Sequence, residues 1–328
     1  MLTRAQLLLP KDYLQDAVRC ISLARTQISL LTMIVVEDDT TQPLIDALCE
    51  AAKRGVRVTV AVDMFTYAEV GGHFKFNTRH SKAIKHITTM QRRLQRAGVT
   101  FRWLGTAATS LVSGRTHSKW LVVDDTVYTF GGVNLYQSGI QNIDYMFRTK
   151  DVGLATHLFS EQRRVMESDR RGRTYRSHMF GDDINSVLID GGFAGESIIY
   201  RHACRLAKQA RQVTYVSQYC PTGRLGRLLK TTDTELYFNP WNKANSLNAL
   251  TIRVGSWLSG HKTAYARDTY LHAKCIVFTM HDGSKVALTG SHNFSHGGVW
   301  LGTREIALET RDPRIIRQLE RFIRSEVA

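Results

Sequence analysis

An α/β fold made of two related halves is what this sequence predicts. Three observations carry the prediction. Segments of helical and strand periodicity alternate, glycines stop the helices just before β-rich runs, and the same order begins again midway along the chain. At 328 residues there is room for two domains with substantial cores.

Tyr13, Leu14, Ala17, Val18, Ile21 and Ala24 recur with helical spacing, and residues 27–36 then form an apolar, β-rich run. Residues 43–54 predict a second helix, stopped at Gly55, and residues 56–63 (VRVTVAVD) a strand. A third helix over 82–97, stopped at Gly98, precedes a strand over 99–104. This alternation implies parallel strands. Apolar runs at 119–123 and 127–130 flank Asp124-Asp125-Thr126, which predicts a hairpin. A strand over 146–154 and a helix near 157–167 follow. The second half predicts a helix over 198–210, a strand over 213–218, a helix over 223–230 and a strand over 235–239. A hairpin of 274–278 and 285–289, a strand over 304–309 and an amphipathic helix over 314–327 complete it. The polar stretch 170–183 marks the division, giving domains of 1–175 and 176–328.

The composition, 43 % hydrophobic and 22 % charged with five prolines, excludes a disordered or fibrous chain. The formal net charge is +15, spread evenly over both halves rather than gathered in a tail. A field of this sign favours nucleic acid, anionic lipid surfaces or phosphorylated substrates, and it also serves solubility alone. Cys20, Cys49, Cys204, Cys220 and Cys275 are odd in number, far apart and without a CxxC pair. Neither a disulfide framework nor a zinc knuckle is expected, and a reducing compartment fits. No basic N-terminal region leads into a long apolar run. The most apolar stretch, 28–36, falls far below the roughly 20 residues of a membrane span. The expected location is cytoplasmic, with any membrane contact peripheral, on the inner membrane surface.

The chemistry lies in a duplicated element. His117-Ser118-Lys119 precedes a strand, Asp124 sits in the turn, and Gly131-Gly132-Val133-Asn134 follows. Its counterpart is His272-Ala273-Lys274, a strand, then Gly290-Ser291-His292-Asn293, with a longer hairpin whose turn His281-Asp282-Gly283-Ser284 absorbs the difference. Because strand side chains alternate, the His and Lys of each HxK triplet share a face. If the two copies pack face to face, two histidines, two lysines and two asparagines converge on one cleft suited to a phosphodiester. One imidazole attacks phosphorus while the other protonates the leaving oxygen. Ammonium and amide groups stabilise the charge that builds on the nonbridging oxygens. This chemistry requires no metal or cofactor.

The paired HxK(x)4D…G[GS]xN pattern resembles the phospholipase D superfamily, where it is called the HKD motif. The first copy matches through His117, Lys119, Asp124 and Asn134, the second through His272, Lys274, Ser291 and Asn293. In the second copy Thr279 stands at the Asp position, a residue whose role in the superfamily is structural hydrogen bonding. Residues 51–58 (AAKRGVRV), 96–99 (RAGV), 218–221 (QYCP) and 302–308 (GTREIAL) are similar to the cardiolipin synthase branch. The resemblance implies two pseudosymmetric halves of mixed sheets flanked by helices, with the active site at their interface. It further implies a phosphohistidine intermediate, with attack by His117 and acid/base duty for His272. An imidazole nucleophile needs its second ring nitrogen held by an acceptor. By family analogy this acceptor lies on the strand after the asparagine, at Asp151 in the first half and Glu305 in the second, where ordinary surface carboxylates are the alternative.

A third triplet, His80-Ser81-Lys82, lacks a following apolar strand and reads as a solvated basic loop. The neighbouring Gly71-Gly72-His73, Lys75, Arg79, Lys85 and His86 form either a cleft-covering phosphate binder or a merely soluble loop. Each catalytic triplet sets a lysine two residues from its histidine, which opposes a metal cation, and no HExxH helix occurs. Neither a GxGxxG fingerprint nor a Walker sequence is present, so no nucleotide cofactor is expected. His292 and His296 flank Asn293 as candidate pocket lining. Core packing is expected of Trp120, whereas Trp241 and Trp300, in loop contexts, are candidate membrane-interface anchors.

The expected function is phosphatidyl transfer between phospholipids and alcohols, or hydrolysis to phosphatidate, with an anionic phospholipid and a membrane surface as partners. The rivals are a nuclease of the same superfamily acting on DNA or RNA, and a binding protein that lost turnover through Thr279.

Overall fold

A computed structural model describes residues 2, 4–66, 82–106, 114–240 and 260–328. The basic segment at 71–79, His80, Ser81, Trp241 and Trp257 lie outside the described residues. In chain order the elements are β1 (Gln6–Leu8), α1 (Pro10–Ser22), β2 (Gln27–Thr32), α2 (Gln42–Lys53), β3 (Arg57–Asp63), α3 (Lys82–Arg96), β4 (Thr100–Leu104), β5 (Trp120–Val123), β6 (Thr126–Thr129), α4 (Gln137–Gln141), β7 (Met146–Lys150) and α5 (Val152–Arg170). There follow β8 (His178–Gly181), β9 (Asn185–Gly191), α6 (Ile198–Gln209), β10 (Ala210–Val216), α7 (Gly223–Leu229), β11 (Asp233–Tyr237), β12 (Cys275–Met280), β13 (Lys285–Gly290), α8 (His296–Leu301), β14 (Arg304–Thr310) and α9 (Pro313–Phe322), extended by a π-helical turn, Ile323–Val327.

The chain forms two compact units. One comprises residues 1–129, 133–141 and 146–174; the other comprises 130–132, 142–145 and 175–328. Each unit holds one seven-stranded mixed sheet, ordered β1-β7-β6-β5-β2-β3-β4 in the first and β11-β10-β12-β13-β14-β9-β8 in the second. The run β1-β7-β6-β5-β2-β3 recurs as β9-β14-β13-β12-β10-β11. In both runs one terminal pair is parallel and every other pairing antiparallel. The duplication read from the motifs is therefore a duplication of sheet topology. Beyond the shared run, β4 extends the first sheet and β8 the second.

In the first unit the alternating side chains of β2 divide between two faces. Ile28 and Leu30 join Tyr13, Ala17, Ile21, Leu44, Ile45 and Leu48 of α1 and α2 in the main core. On the opposite face Gln162 of α5 accepts from Trp120 Nε1 at 3.0 Å and donates to Leu30 O at 3.2 Å. Trp120 is a core residue, as its strand position predicts. Gly55 and Gly98, which end α2 and α3, adopt φ of +91° and +96°, where a Cβ would be strained. The second unit builds its core from α6, α7 and the inward faces of β10, β12 and β13.

Two expected boundaries shift for a local reason. The strand expected over 146–154 ends at Lys150 because Asp151 caps α5, its Oδ1 accepting from Leu154 N at 2.9 Å, and the helix runs from Val152 to Arg170. In the second half α6 passes directly into β10, leaving no loop between them.

Candidate active site

Segment 142–145 carries a decisive residue. It runs alongside the second triplet: Ile143 N donates to Tyr270 O at 3.0 Å, and His272 N and Ala273 N each donate to Ile143 O at 2.9 Å. This places Asp144 beside the imidazole of His272, with Oδ2 2.7 Å from Nδ1. The other carboxylate oxygen, Oδ1, accepts from Gly132 N at 3.2 Å and from Tyr145 N at 2.8 Å. Burial opposes ionisation of Asp144. The hydrogen bond and charge of His272, the charge of Lys274 and the Tyr145 N–H outweigh it and hold the carboxyl below its ordinary range. A carboxylate on Nδ1 fixes the ring's tautomer and assigns reaction chemistry to Nε2.

Lys274 is fully buried. Its ammonium donates to His272 O and lies 3.3 Å from His272 Nδ1. Desolvation pushes its pKa down to about 8, against the attraction of Asp144 and Glu305. Close packing is completed by Gly132, where a Cβ would lie 2.7 Å from Asp144 Oδ2 and 2.9 Å from Lys274 Nζ. No larger residue fits there without displacing the charged cluster.

Ser291 donates through Oγ to Glu305 and accepts from Ile306 N at 3.0 Å, while Thr303 Oγ1 donates to Glu305 at 3.0 Å. Asp190, opposite Glu305 in the β9–β14 ladder, accepts from Ser197 Oγ at 2.5 Å and Ile198 N at 2.7 Å at the start of α6. Burial, with the charge of Glu305 adding to it, pushes Asp190 up to about 7. His292 Nδ1 accepts from Phe294 N at 2.8 Å. The backbone of Asn293 is held by Ser217 Oγ at 2.9 Å.

In the first unit His117 and Lys119 are buried, and Lys119 Nζ donates to His117 O at 2.9 Å, the same hook that Lys274 makes. Asp63, at the end of β3, fixes the approach to His117. Its Oδ2 accepts from Thr116 N at 2.9 Å and its Oδ1 pairs with Arg115. Asn134 and Asn293 occupy equivalent places after the two hairpins. Both carry a buried Oδ1 that finds no hydrogen-bond partner among the described residues. Buried amide oxygens are normally satisfied. Rotation of either amide presents its NH2 instead.

Asp124 is structural. It accepts from Arg25 N at 2.8 Å, Thr26 N at 2.9 Å and Gln27 N at 3.0 Å, tying down the loop that enters β2. Partial burial opposes its charge, but the Thr26 hydroxyl and these N–H groups prevail and lower its pKa. Thr279 lies within the ladder of β12, opposite Gln212 and Lys285. In the second half α6 enters β10 without a loop, and a register shift between Ala210 and Gln212 takes the place of the loop that Asp124 ties down in the first.

Two expected acceptors are corrected. Asp151 caps α5 and also accepts from Leu2 N at 3.1 Å, so the first turn of the helix and the N-terminal segment account for its oxygens. Glu305 receives Ser291 and Thr303, and the acceptor on His272 Nδ1 is Asp144. A signal for Asp144 existed in the repeat. It follows Asn134 at nearly the spacing by which Glu305 follows Asn293, and both precede or open the equivalent strands β7 and β14. Among the described residues, no group of three or more His, Cys, Asp or Glu is placed to hold a metal ion. No helix among them is long and apolar enough to cross a membrane.

Residues 17–166 match the family model described as cardiolipin synthase, PLD-like domain. This stretch, a little under half of the chain, is similar to a phospholipase D-like domain. It contains the first HKD motif and Asp144, and the second motif lies beyond it. Phosphatidylserine synthase from Haemophilus influenzae Rd KW20 is similar in fold over 100 % of this chain and 88 % of that one, with a TM-score of 0.72 at 14 % identity. Polyphosphate kinase from Porphyromonas gingivalis matches over 97 % of this chain and 49 % of its own, with a TM-score of 0.63 at 14 % identity. Nuc from Salmonella typhimurium, a phospholipase D family member, covers 53 % of this chain and 97 % of its own at 20 % identity, with a TM-score of 0.37. For the synthase and the kinase the likeness at these identities is one of fold. A search of curated proteins found no match to the sequence.

Proposed function

We propose that this protein exchanges phosphodiesters on phospholipids, moving a phosphatidyl group from a donor lipid to an alcohol, or to water in the hydrolytic version. The observation that carries the reading is the buried Asp144–His272–Lys274 cluster, an imidazole set by a carboxylate beside a buried ammonium. His117 attacks phosphorus and forms a P–N bond as the P–O bond to the leaving alcohol breaks. His272 gives its proton to that alcohol oxygen. The incoming alcohol then loses its proton to His272 and attacks phosphorus, and the P–N bond breaks to restore His117. Lys119, Lys274, Asn134 and Asn293 stabilise the nonbridging oxygens. The cardiolipin synthase description of the matched domain supports a lipid substrate.

The test supplies purified protein with phosphatidylglycerol vesicles in EDTA and analyses the lipids. Cardiolipin or phosphatidate is expected, with an acid-labile phosphatidyl adduct on His117. His117→Ala and His272→Ala should each remove turnover in a protein that still folds, and His272→Ala should also lower the melt, because it leaves Asp144 buried without its imidazole. Absence of any lipid product overturns the reading. The net charge of +15 favours a second one, a nuclease of this superfamily. Salt-sensitive DNA cleavage without lipid turnover would establish it instead.

A further inference from the structure

Helix α8 lies in the short connection between the second motif's Asn293 and Glu305, and its last turn exposes two large apolar side chains. Val299 is buried and anchors it, while Trp300 and Leu301 stand 68 % and 45 % exposed. A second loop is clamped against the same end. Gly195 N donates to Val299 O at 2.8 Å, and a Cβ on Gly302, at φ +68°, would meet Ala194 N at 2.5 Å and the Phe193 carbonyl carbon at 2.6 Å. That clamp sets Phe193, 43 % exposed, beside Trp300 and Leu301. Among the described residues Leu23, Met64, Val152, Met179 and Ile184 are the other exposed large apolar side chains, and the clamp brings Phe193, Trp300 and Leu301 together as one surface.

Charge at the margin favours one occupant. Gly223 packs on the first residue of α8, where its Cβ would lie 2.7 Å from His296 Cβ, and the exposed Arg224 follows it. Arg201 is also exposed, on the first turns of α6 behind the Phe193 loop, where it pairs with Glu196 at 3.8 Å. Indole and phenyl groups rimmed by arginine match the boundary between acyl chains and anionic headgroups. The protein's charge of +15 adds long-range attraction to such a surface.

We propose that Phe193, Trp300 and Leu301 form a shallow insertion patch by which the second-motif end of the second unit docks on an anionic bilayer. This rests on the phospholipid reading above and gives it a means of access. A lipid headgroup reaches the motif from a membrane held beside α8.

The experiment is flotation with vesicles of phosphatidylglycerol and phosphatidylcholine, using the full chain. The triple variant F193S/W300S/L301S should bind at least about tenfold more weakly, since it removes the apolar groups that would leave water on docking. Its melt and its turnover of a dissolved short-chain phospholipid should match the wild type. The control L23S/V152S, which removes apolar side chains of similar exposure from the first unit, should bind as the wild type does. Binding of the triple variant within twofold of wild type, or an equal loss in the control, overturns the proposal. So does a concentration-dependent dimer that the triple variant abolishes while vesicle binding persists. Vesicle binding is read without turnover. Patch-dependent binding with no lipid chemistry would therefore sink the functional reading alone, and turnover with patch-independent binding would sink the patch alone.

Discussion

Replacing Asp144 by Asn separates the chemical role of this carboxylate from its architectural one. The oxygen Oδ1 that receives Gly132 N and Tyr145 N is retained, so the backbone of 130–132 and 142–145 keeps its anchor. What changes is the atom facing His272 Nδ1 at 2.7 Å, which becomes an N–H donor. Two donors cannot share that distance. The imidazole must move its proton to Nε2, the nitrogen assigned to proton transfer, and lose its basic lone pair there. A tautomer locked the wrong way lowers kcat by about 10³–10⁴-fold, equivalent to roughly 4–5.5 kcal/mol of barrier. The stability loss should be smaller, about 1–3 kcal/mol for one charge-assisted hydrogen bond. The assay is steady-state turnover of a dissolved short-chain phospholipid alongside a thermal melt, and Asp144→Ala should melt lower still because it also orphans two backbone donors. A folded Asp144→Asn enzyme with kcat within about tenfold of wild type would refute the argument.

Three further outcomes follow from the same geometry. Burial lowers Lys274 from 10.5 to about 8, so between those values the unfolded chain binds the proton more readily. Its contribution to stability therefore rises with pH through that window, while turnover that depends on the ammonium falls above about pH 8. Lys274→Met should lose at least about a hundredfold in kcat and remove that alkaline limb, and it should melt lower at pH 7, because Asp144 and Glu305 lose the buried cation they face. Gly132→Ala drives a methyl against Asp144 and Lys274 and should cost about 1–3 kcal/mol in denaturant melts together with most activity. Asp124→Ala should lower stability by about 1–2 kcal/mol with turnover intact below the melt.

Much of this was legible in the residues. The glycine stops at Gly55 and Gly98, the hairpin at Asp124-Asp125 and the paired triplets each depend on local rules, and each appears where those rules put it. Short edge strands were not legible: β1 and β8 span few residues and draw their stability from neighbours distant in sequence. Nor was Asp151, since an aspartate that ends a strand and one that begins a helix look alike until the N–H it receives is known.

Asp144 was hidden for a deeper reason. A search along the strand after each asparagine assumes that a motif's acceptor belongs to its own repeat, yet segments 130–132 and 142–145 pack with the second unit although the first repeat encodes them. The duplicated topology explains how such an exchange persists. Once one copy lends a carboxylate to the other's histidine, neither copy alone retains a complete imidazole–carboxylate pair for that motif, and loss of the lending segment disables the borrower. On this argument an excised second half, residues 176–328, keeps His272 and Lys274 but lacks Asp144, Tyr145 and Gly132. Its lysine would lie buried without the facing carboxylate. Such a fragment should be markedly less stable than the intact chain, with Lys274 titrating below about 8. A fragment that melts cooperatively near the full chain's temperature would show that the lent segment is dispensable to the second unit.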